Sequence, residues 1–338
     1  MNSNSVAIPW HGPSRSAWLD EVQAWLQPQI ERQGRQMSGP LQCVRDHPWA
    51  IVMRVPCTGG PLFFKAAGPE ARHELAILET LGPRWNDRLP AVLASEPQRG
   101  WLLLEDHGCT LRDHLAGADS TDLWLQLLPS FAQMQMAEMP WCTLGVPDRR
   151  PQVLPGQLRA LLSDSDVLGL GQVDGLSHER HAELHQLLPE FEASCEALSA
   201  QAPAINHGDL HDRNVLVRDG QYRFIDFGDA CISHPLCVLL MPCQKNVASW
   251  FNRQGRQRLQ QLCSAYLDAW RDHRDATALR PLLGRALWVA HVARALAWEE
   301  MGRAAKGKRR QECLAQVSSW LNIFARRRVL SQVGALMS

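Results

Sequence analysis

Asn206-His207-Gly208-Asp209-Leu210-His211-Asp212-Arg213-Asn214-Val215-Leu216-Val217-Arg218-Asp219-Gly220-Gln221-Tyr222-Arg223-Phe224-Ile225-Asp226-Phe227-Gly228-Asp229 is the stretch on which the fold turns. At its centre Asp219-Gly220 is the two-residue signal of a type I′ hairpin, set between β-prone Val215-Leu216-Val217 and Tyr222-Arg223-Phe224-Ile225. Counting outward from that turn puts residue 213 opposite 226 and residue 214 opposite 225, so Asn214 and Asp226 leave the hairpin at the same open end. Asp209 lies on the loop feeding that end. Two carboxylates and a carboxamide gathered there would be costly to desolvate without a cation, and all three offer hard oxygen ligands. Magnesium suits such a set, with nucleotide phosphates and water completing its shell, because it seldom occupies an all-protein cage.

His207-Gly208-Asp209, then Asn214, then Ile225-Asp226-Phe227-Gly228 together resemble the aminoglycoside phosphotransferase and choline kinase family, whose members share the protein-kinase fold. Seven of these positions, Ile225 left aside, at about one in twenty each, with all starts and some twenty spacings allowed, arise by chance on the order of once in 10⁵ such chains. The resemblance implies an α+β, two-lobed protein-kinase-like fold. Its smaller lobe is an antiparallel β-sheet with one main helix, and its larger lobe is mostly helical and carries the catalytic β-hairpin. It implies ATP and Mg²⁺ as cofactors, Asp209 as the base that accepts or orients the substrate hydroxyl proton, and Asn214 and Asp226 as magnesium ligands. His207 then braces the loop as a hydrogen-bonded structural histidine, and His211 and Asp212 support the loop or meet solvent or substrate.

Upstream, Leu41 to Arg45, Trp49 to Val55 and Pro61 to Ala66 are strand-like, the last two joined through Thr58-Gly59-Gly60. Before them Trp18, Val22, Trp25 and Leu26 predict an amphipathic helix within 15–37, interrupted or ended near Pro28. Pro69 to Leu81 predicts a second helix, stopped by Gly82-Pro83, and Ala91 to Ser95 and Trp101 to Glu105 bring the strands to five. Lys65 ends the run Leu62-Phe63-Phe64 in a chain otherwise poor in lysine. In the resembled family a strand lysine meets the nucleotide phosphates and pairs with a helix glutamate; Glu74 matches best and Glu70 second. Trp101 to Asp106 resembles the hinge whose backbone meets the adenine, which makes Leu104 and Asp106 candidate nucleotide-binding residues.

From Leu111 the pattern turns helical, over 111–116, 121–139, 155–164, 178–199, 250–273, 277–301 and 309–331, with 163–177 as a mobile connection. The division expected is 1–105, a nucleotide-binding lobe with its leading helix, and 106–338, the catalytic and substrate-binding lobe. Asp229, Glu299 and Glu300 are the candidate acids for meeting an acceptor, the last two reading first as surface acids.

Thirty-five basic residues balance 35 acidic ones, so no overall field draws the chain to nucleic acid or an anionic membrane. No run of 18 apolar residues and no signal-type start occur, and the ten cysteines form no C-x-x-C pair, all of which predicts a cytoplasmic protein with reduced thiols. Gly302 to Lys308 spells the front of a P-loop, but Arg309 stands where Ser or Thr would hold magnesium and no strand precedes it, so a basic helix connection is expected. The cluster Arg326-Arg327-Arg328 is expected to be a solvated face.

Two departures from the family pattern stand out. Arg45-Asp46-His47-Pro48-Trp49 has no glycine with which backbone amides could wrap phosphate, and His234-Pro235-Leu236 lacks the usual acid before proline. Residues 229–249 contain no A-P-E-like element, which favours a small-molecule acceptor over a protein. The activity expected is transfer of the ATP γ-phosphoryl group to a hydroxyl of an aminoglycoside-like antibiotic, sugar, amino alcohol or related metabolite. Two other readings stay open at this point: a catalytically silent nucleotide-binding regulator, and a metal-dependent hydrolase using His207-x-Asp209-x-His211 as a zinc or iron cluster.

Overall fold

The structure is a computed structural model that describes residues 9–11, 14–137, 144–244, 253–272 and 276–326. The expected helix and loop ends at 138–139, 245–252, 273 and 327–331, with Arg327 and Arg328, lie outside the described residues. The chain divides into two compact units.

The first unit contains the chain up to Leu111 together with Asn214–Gly228 and Glu300–Arg310. Five antiparallel strands, β1 (Gln42–Asp46), β2 (Ala50–Val55), β3 (Leu62–Ala67), β4 (Val92–Glu96) and β5 (Trp101–Glu105), form one sheet in the order β1-β2-β3-β5-β4. Period-2 alternation gives β3 two faces. Leu62, Phe64 and Ala66 enter a core with Ile51, Met53, Val55, Trp101 and Leu103, under Trp18, Val22, Leu26 and Ile30 of helix α1 (Arg15–Arg32). Spacing of four residues puts those helix side chains on one stripe, as the sequence predicts. Pro28, however, lies inside α1 and does not end it. Pro28 and Ala24 are both on the exposed side, where water satisfies the carbonyl that the missing N–H leaves, while Leu26 and Ile30 pin the last turns.

Helix α2 (His73–Leu81) follows a short 3₁₀ turn at Pro69–Ala71. A second sheet, β6-β8-β9, is built from β6 (Cys109–Thr110), β8 (Val215–Arg218) and β9 (Gln221–Phe224). These units depart from the 1–105 and 106–338 division, because 106–111, the hairpin 214–228 and 300–310 go with the first unit. The physical reason is pairing: Cys109 and Thr110 bond to Val217 and Leu216, and the Phe224 N–H donates to the Arg88 carbonyl at 2.8 Å.

The second unit contains Arg112–Arg213, Asp229–Glu299 and the chain from Gln311. Its helices include α4 (Thr121–Gln135), α5 (Leu154–Leu162), α7 (His178–Leu198), α9 (Arg253–Ala269), and, apart from 300–310, α11 (Leu283–Ala304) and α12 (Gly307–Ala325); α8 (Leu240–Gln244), α10 (Ala276–Leu279) and, apart from its first residue, α3 (Leu111–Leu115) are short. The expected 163–177 connection is not an open linker, since Ser165–Leu168 form helix α6, capped by the Asp164 carboxylate on the Val167 N–H. Trp288 stacks on Phe324 with ring centres 4.6 Å apart and donates its indole N–H to the Phe324 carbonyl, which joins α11 to α12. Gln135 of α4 donates to the Ile205 carbonyl at 2.7 Å and lies 2.5 Å from the Tyr266 hydroxyl of α9, tying both helices to β7 (Ala204–Asn206). β7 pairs with β10 (Cys231–Ser233).

Candidate active site

The hairpin has the predicted register: Val215 faces Phe224, Arg218 faces Gln221, and the Ile225 N–H donates to the Asn214 carbonyl at 3.0 Å. Asp219 and Gly220 take φ of 50° and 73°, the double left-handed conformation that a type I′ turn requires. Asn214 and Asp226 therefore leave the pair at one end, Asn214 buried and Asp226 with 43% of its side chain exposed. Asp226 itself has φ 67°, a costly conformation for a side chain that is not glycine, and its surroundings hold it there.

Those surroundings are Lys65 and α2. Lys65 points from the β3 face opposite the α1 core, and its ammonium lies 2.6 Å from Glu74 Oε2, 2.8 Å from Oε1 and 2.7 Å from Asp226 Oδ1. Burial works against the Lys65 charge, but the Asp226 and Glu74 carboxylates override it and hold its pKa above the ordinary value. Burial pushes Glu74 upward against the pull of Lys65, and its carboxylate also accepts a backbone hydrogen bond from Phe227. His73, beside it, is hydrogen-bonded to the backbone of Phe227 and Gly228, while burial drives its imidazole down to about 4. Two adjacent residues of α2 thus grip the turn that carries Asp226, and the part played by His73 was not foreseen from sequence.

Cross-strand pairing places other groups on the Lys65 face. Arg45 pairs with Val52, Val52 with Lys65 and Lys65 with Leu102, so their side chains share one face of the sheet. Phe63 and Leu104, also paired, lie on that face and are only half-buried, leaving apolar surface beside the lysine. The Asp46–Trp49 turn offers few backbone donors: the His47 N–H goes to the Ala50 carbonyl and Pro48 has none. The His47 ring stacks on Trp49, 4.9 Å between centres. Asp106 accepts from the Gly108 N–H at 2.9 Å and lies 3.6 Å from Arg218, so its carboxylate closes the turn ahead of β6.

In the second unit, Asp209 stands between two donors. Arg294 of α11 places Nη2 3.3 Å from Asp209 Oδ1, and His211 places Nε2 3.3 Å from Oδ2. The Arg213 N–H donates to His211 Nδ1, which leaves Nε2 as the protonated nitrogen facing Asp209. Burial opposes ionisation of Asp209, yet Arg294, His211 and His207 override it and hold the carboxyl well below the usual range. His207 is fully buried, its ring 6.2 Å from Phe131. Asp212 is buried and paired with Arg112 at 2.6 Å. Asp229 binds Arg294 at 3.0 Å. Glu299 is buried, not the surface acid expected; Glu300 is half-exposed and belongs to the first unit. Arg294 escaped the sequence reading, although it is the only Asp, Glu, Lys or Arg between Ala286 and Trp298, and a lone charge in an apolar helix demands a partner.

Asn214 and Asp226 fit magnesium: they are oxygen donors in one unit, and Asp226 keeps enough exposure to admit water and phosphate. No group of three or more His, Cys, Asp or Glu among the described residues is arranged to hold a metal ion, so the zinc or iron cluster is not formed there. The P-loop-like stretch runs from the end of α11 into α12 without a strand, and Arg309 donates to the Asp46 carbonyl at 3.1 Å.

The family model described as the phosphotransferase enzyme family matches residues 63–282, which takes in Lys65, Glu74, Asp209, Asn214, Asp226 and the whole hairpin. The chain belongs to that family. This phosphotransferase has no significant match among curated proteins. Among solved structures it is similar to a macrolide 2′-phosphotransferase type I, with 13% identity over 93% of this chain and 99% of that one and a TM-score of 0.60. A choline/ethanolamine kinase family protein from Mesorhizobium loti gives 15% identity, coverage of 94% and 98%, and a TM-score of 0.59. The ADP-bound aminoglycoside phosphotransferase APH(2″)-Ib gives 14%, 91% and 98%, and 0.58. At such identities the likeness is one of fold, the protein-kinase-like fold that the hairpin motif predicted. No helix among the described residues is long and apolar enough to cross a membrane.

Proposed function

We propose that this phosphotransferase moves the γ-phosphoryl group of ATP, with magnesium, to a hydroxyl of a small molecule: an aminoglycoside-like antibiotic, a sugar, an amino alcohol or a related metabolite. The observation that carries the proposal is the Lys65 ammonium held between Glu74 and Asp226. A buried lysine bridging a helix acid and a half-exposed hairpin acid is a prepared phosphate-binding charge beside a prepared metal ligand. The ADP bound in one similar structure and the ATP in another support nucleotide use, and the macrolide phosphotransferase and the choline/ethanolamine kinase family protein support a small hydroxyl-bearing acceptor.

Each residue then has a task. Val52, Phe63 and Leu104 supply apolar surface for the adenine, and Lys65 and Arg45 supply positive charge for the phosphates. Asn214 and Asp226 would hold magnesium, which when bound neutralises phosphate charge. Asp209, kept ionised, orients the acceptor hydroxyl and takes its proton as the acceptor oxygen bonds to phosphorus and the bond to the nucleoside diphosphate breaks. A cytoplasmic location fits the nine described cysteines, which all lie outside disulfides.

The glycine-free turn favours one other reading, a nucleotide binder without turnover. Arg45 on the Lys65 face supplies side-chain charge where backbone donors are scarce, and this favours catalysis. The test is ATP consumption screened against a library of hydroxyl compounds with wild type and Asp209→Asn. Acceptor-dependent consumption is expected, lowered by about 10² to 10⁴ in the variant while ATP still binds. Intact ATP binding with no consumption on any acceptor would instead establish the silent regulator.

A further inference from the structure

Arg294 does more than balance a charge. It is 5% exposed, and a guanidinium out of water needs carboxylate partners to stay charged. Trp298 and Trp320 lie 6.0 and 5.6 Å from its central carbon, and its two terminal nitrogens go to two different carboxylates. Nη1 meets Asp229 Oδ2 at 3.0 Å, and Nη2 meets Asp209 Oδ1 at 3.3 Å. One acid would have sufficed for neutrality. The second contact falls on the carboxylate whose direction matters for the reaction, and α11, anchored through Trp288 to α12, provides a rigid mount.

We propose that Arg294 is a positioning residue: anchored on Asp229 by one arm of its fork, it holds Asp209 in a single rotamer, with His211 on the other carboxylate oxygen, in the orientation that meets the acceptor hydroxyl. The inference rests on Asp209 being the group that meets that hydroxyl. His211 Nε2 borders Oδ2 as Arg294 Nη2 borders Oδ1, each at 3.3 Å, so a donor lies beside both oxygens. Arg294, His211 and His207 face Asp209, with Asp229 on the other arm of Arg294. The arrangement is specific to arginine, because a lysine presents a point charge and cannot span two carboxylates with a planar fork.

The test uses the full chain labelled with ¹³C at aspartate Cγ, the Asp209 signal being the one missing from Asp209→Asn. In wild type that signal stays single and flat from pH 8 to 5. In Arg294→Met it titrates within that range, and magnesium–ATP affinity by calorimetry changes less than twofold. In Arg294→Lys, which guards against misfolding of the methionine variant, it broadens or splits as Asp209 samples more than one rotamer. An Asp209 signal that stays flat in Arg294→Met, or single and unshifted in Arg294→Lys, overturns the proposal. Either result is independent of the turnover screen, so failure of this inference and failure of the assigned function are told apart.

Discussion

Gly208 takes φ 77°, and a Cβ built on it would stand 2.0 Å from the Asp229 carbonyl oxygen. Both the backbone conformation and the close approach exclude a side chain, so Gly208→Ala should destabilise the protein by about 2 kcal/mol or more. Urea unfolding of the purified variant measures this, and a change below about 0.5 kcal/mol would show that the loop adapts freely. What spacing makes legible is placement: Asn214 and Asp226 at one end of a hairpin, and Lys65 on a strand. Arg294 and His73 were not legible in this way, because their roles come from chain segments brought together only by folding. Even so, a lone arginine in the apolar run from Ala286 to Trp298 was a signal open to physical reading.

Among the elements, the β8–β9 hairpin was readable to the residue, since turn chemistry at Asp219-Gly220 fixes register without help from the rest of the chain. The first sheet was readable within a residue or two for the same local reason. Helix α1 continues through Pro28 because that side of the helix faces water, which the sequence alone does not reveal. The place of the hairpin is not given by sequence order either. Sequence order assigns 214–228 to the later lobe, whereas its hydrogen bonds to Arg88 and to β6 bind it to the first unit, with Lys65 and α2. That grouping matters chemically, since it puts both proposed metal ligands, the phosphate lysine and its glutamate in one compact body.

Across the whole molecule, buried histidines set the acid limit of stability. Burial drives His73 and His291 each down to about 4, against an ordinary value of about 6.5. Below about pH 7 the unfolded chain therefore binds protons that the folded one refuses until about pH 4, and each histidine should cost up to about 2 kcal/mol by pH 5. Asp209 acts lower: its depressed carboxyl contributes stability above its unfolded value near 3.9, lost only as pH falls further. Urea midpoints should fall steadily from pH 7.5 to 5 and fall less in His291→Gln; a midpoint independent of pH over that range would exclude the buried, neutral histidines. The central claim is that Lys65, Glu74, Asn214 and Asp226 form a magnesium–nucleotide site. Its most direct test is calorimetric titration of ATP, with and without magnesium, into wild type and Asp226→Ala. Wild type should bind ATP tightly only with magnesium, and the variant should lose that dependence together with at least tenfold in affinity. Equal magnesium-dependent affinity in the two proteins would contradict it.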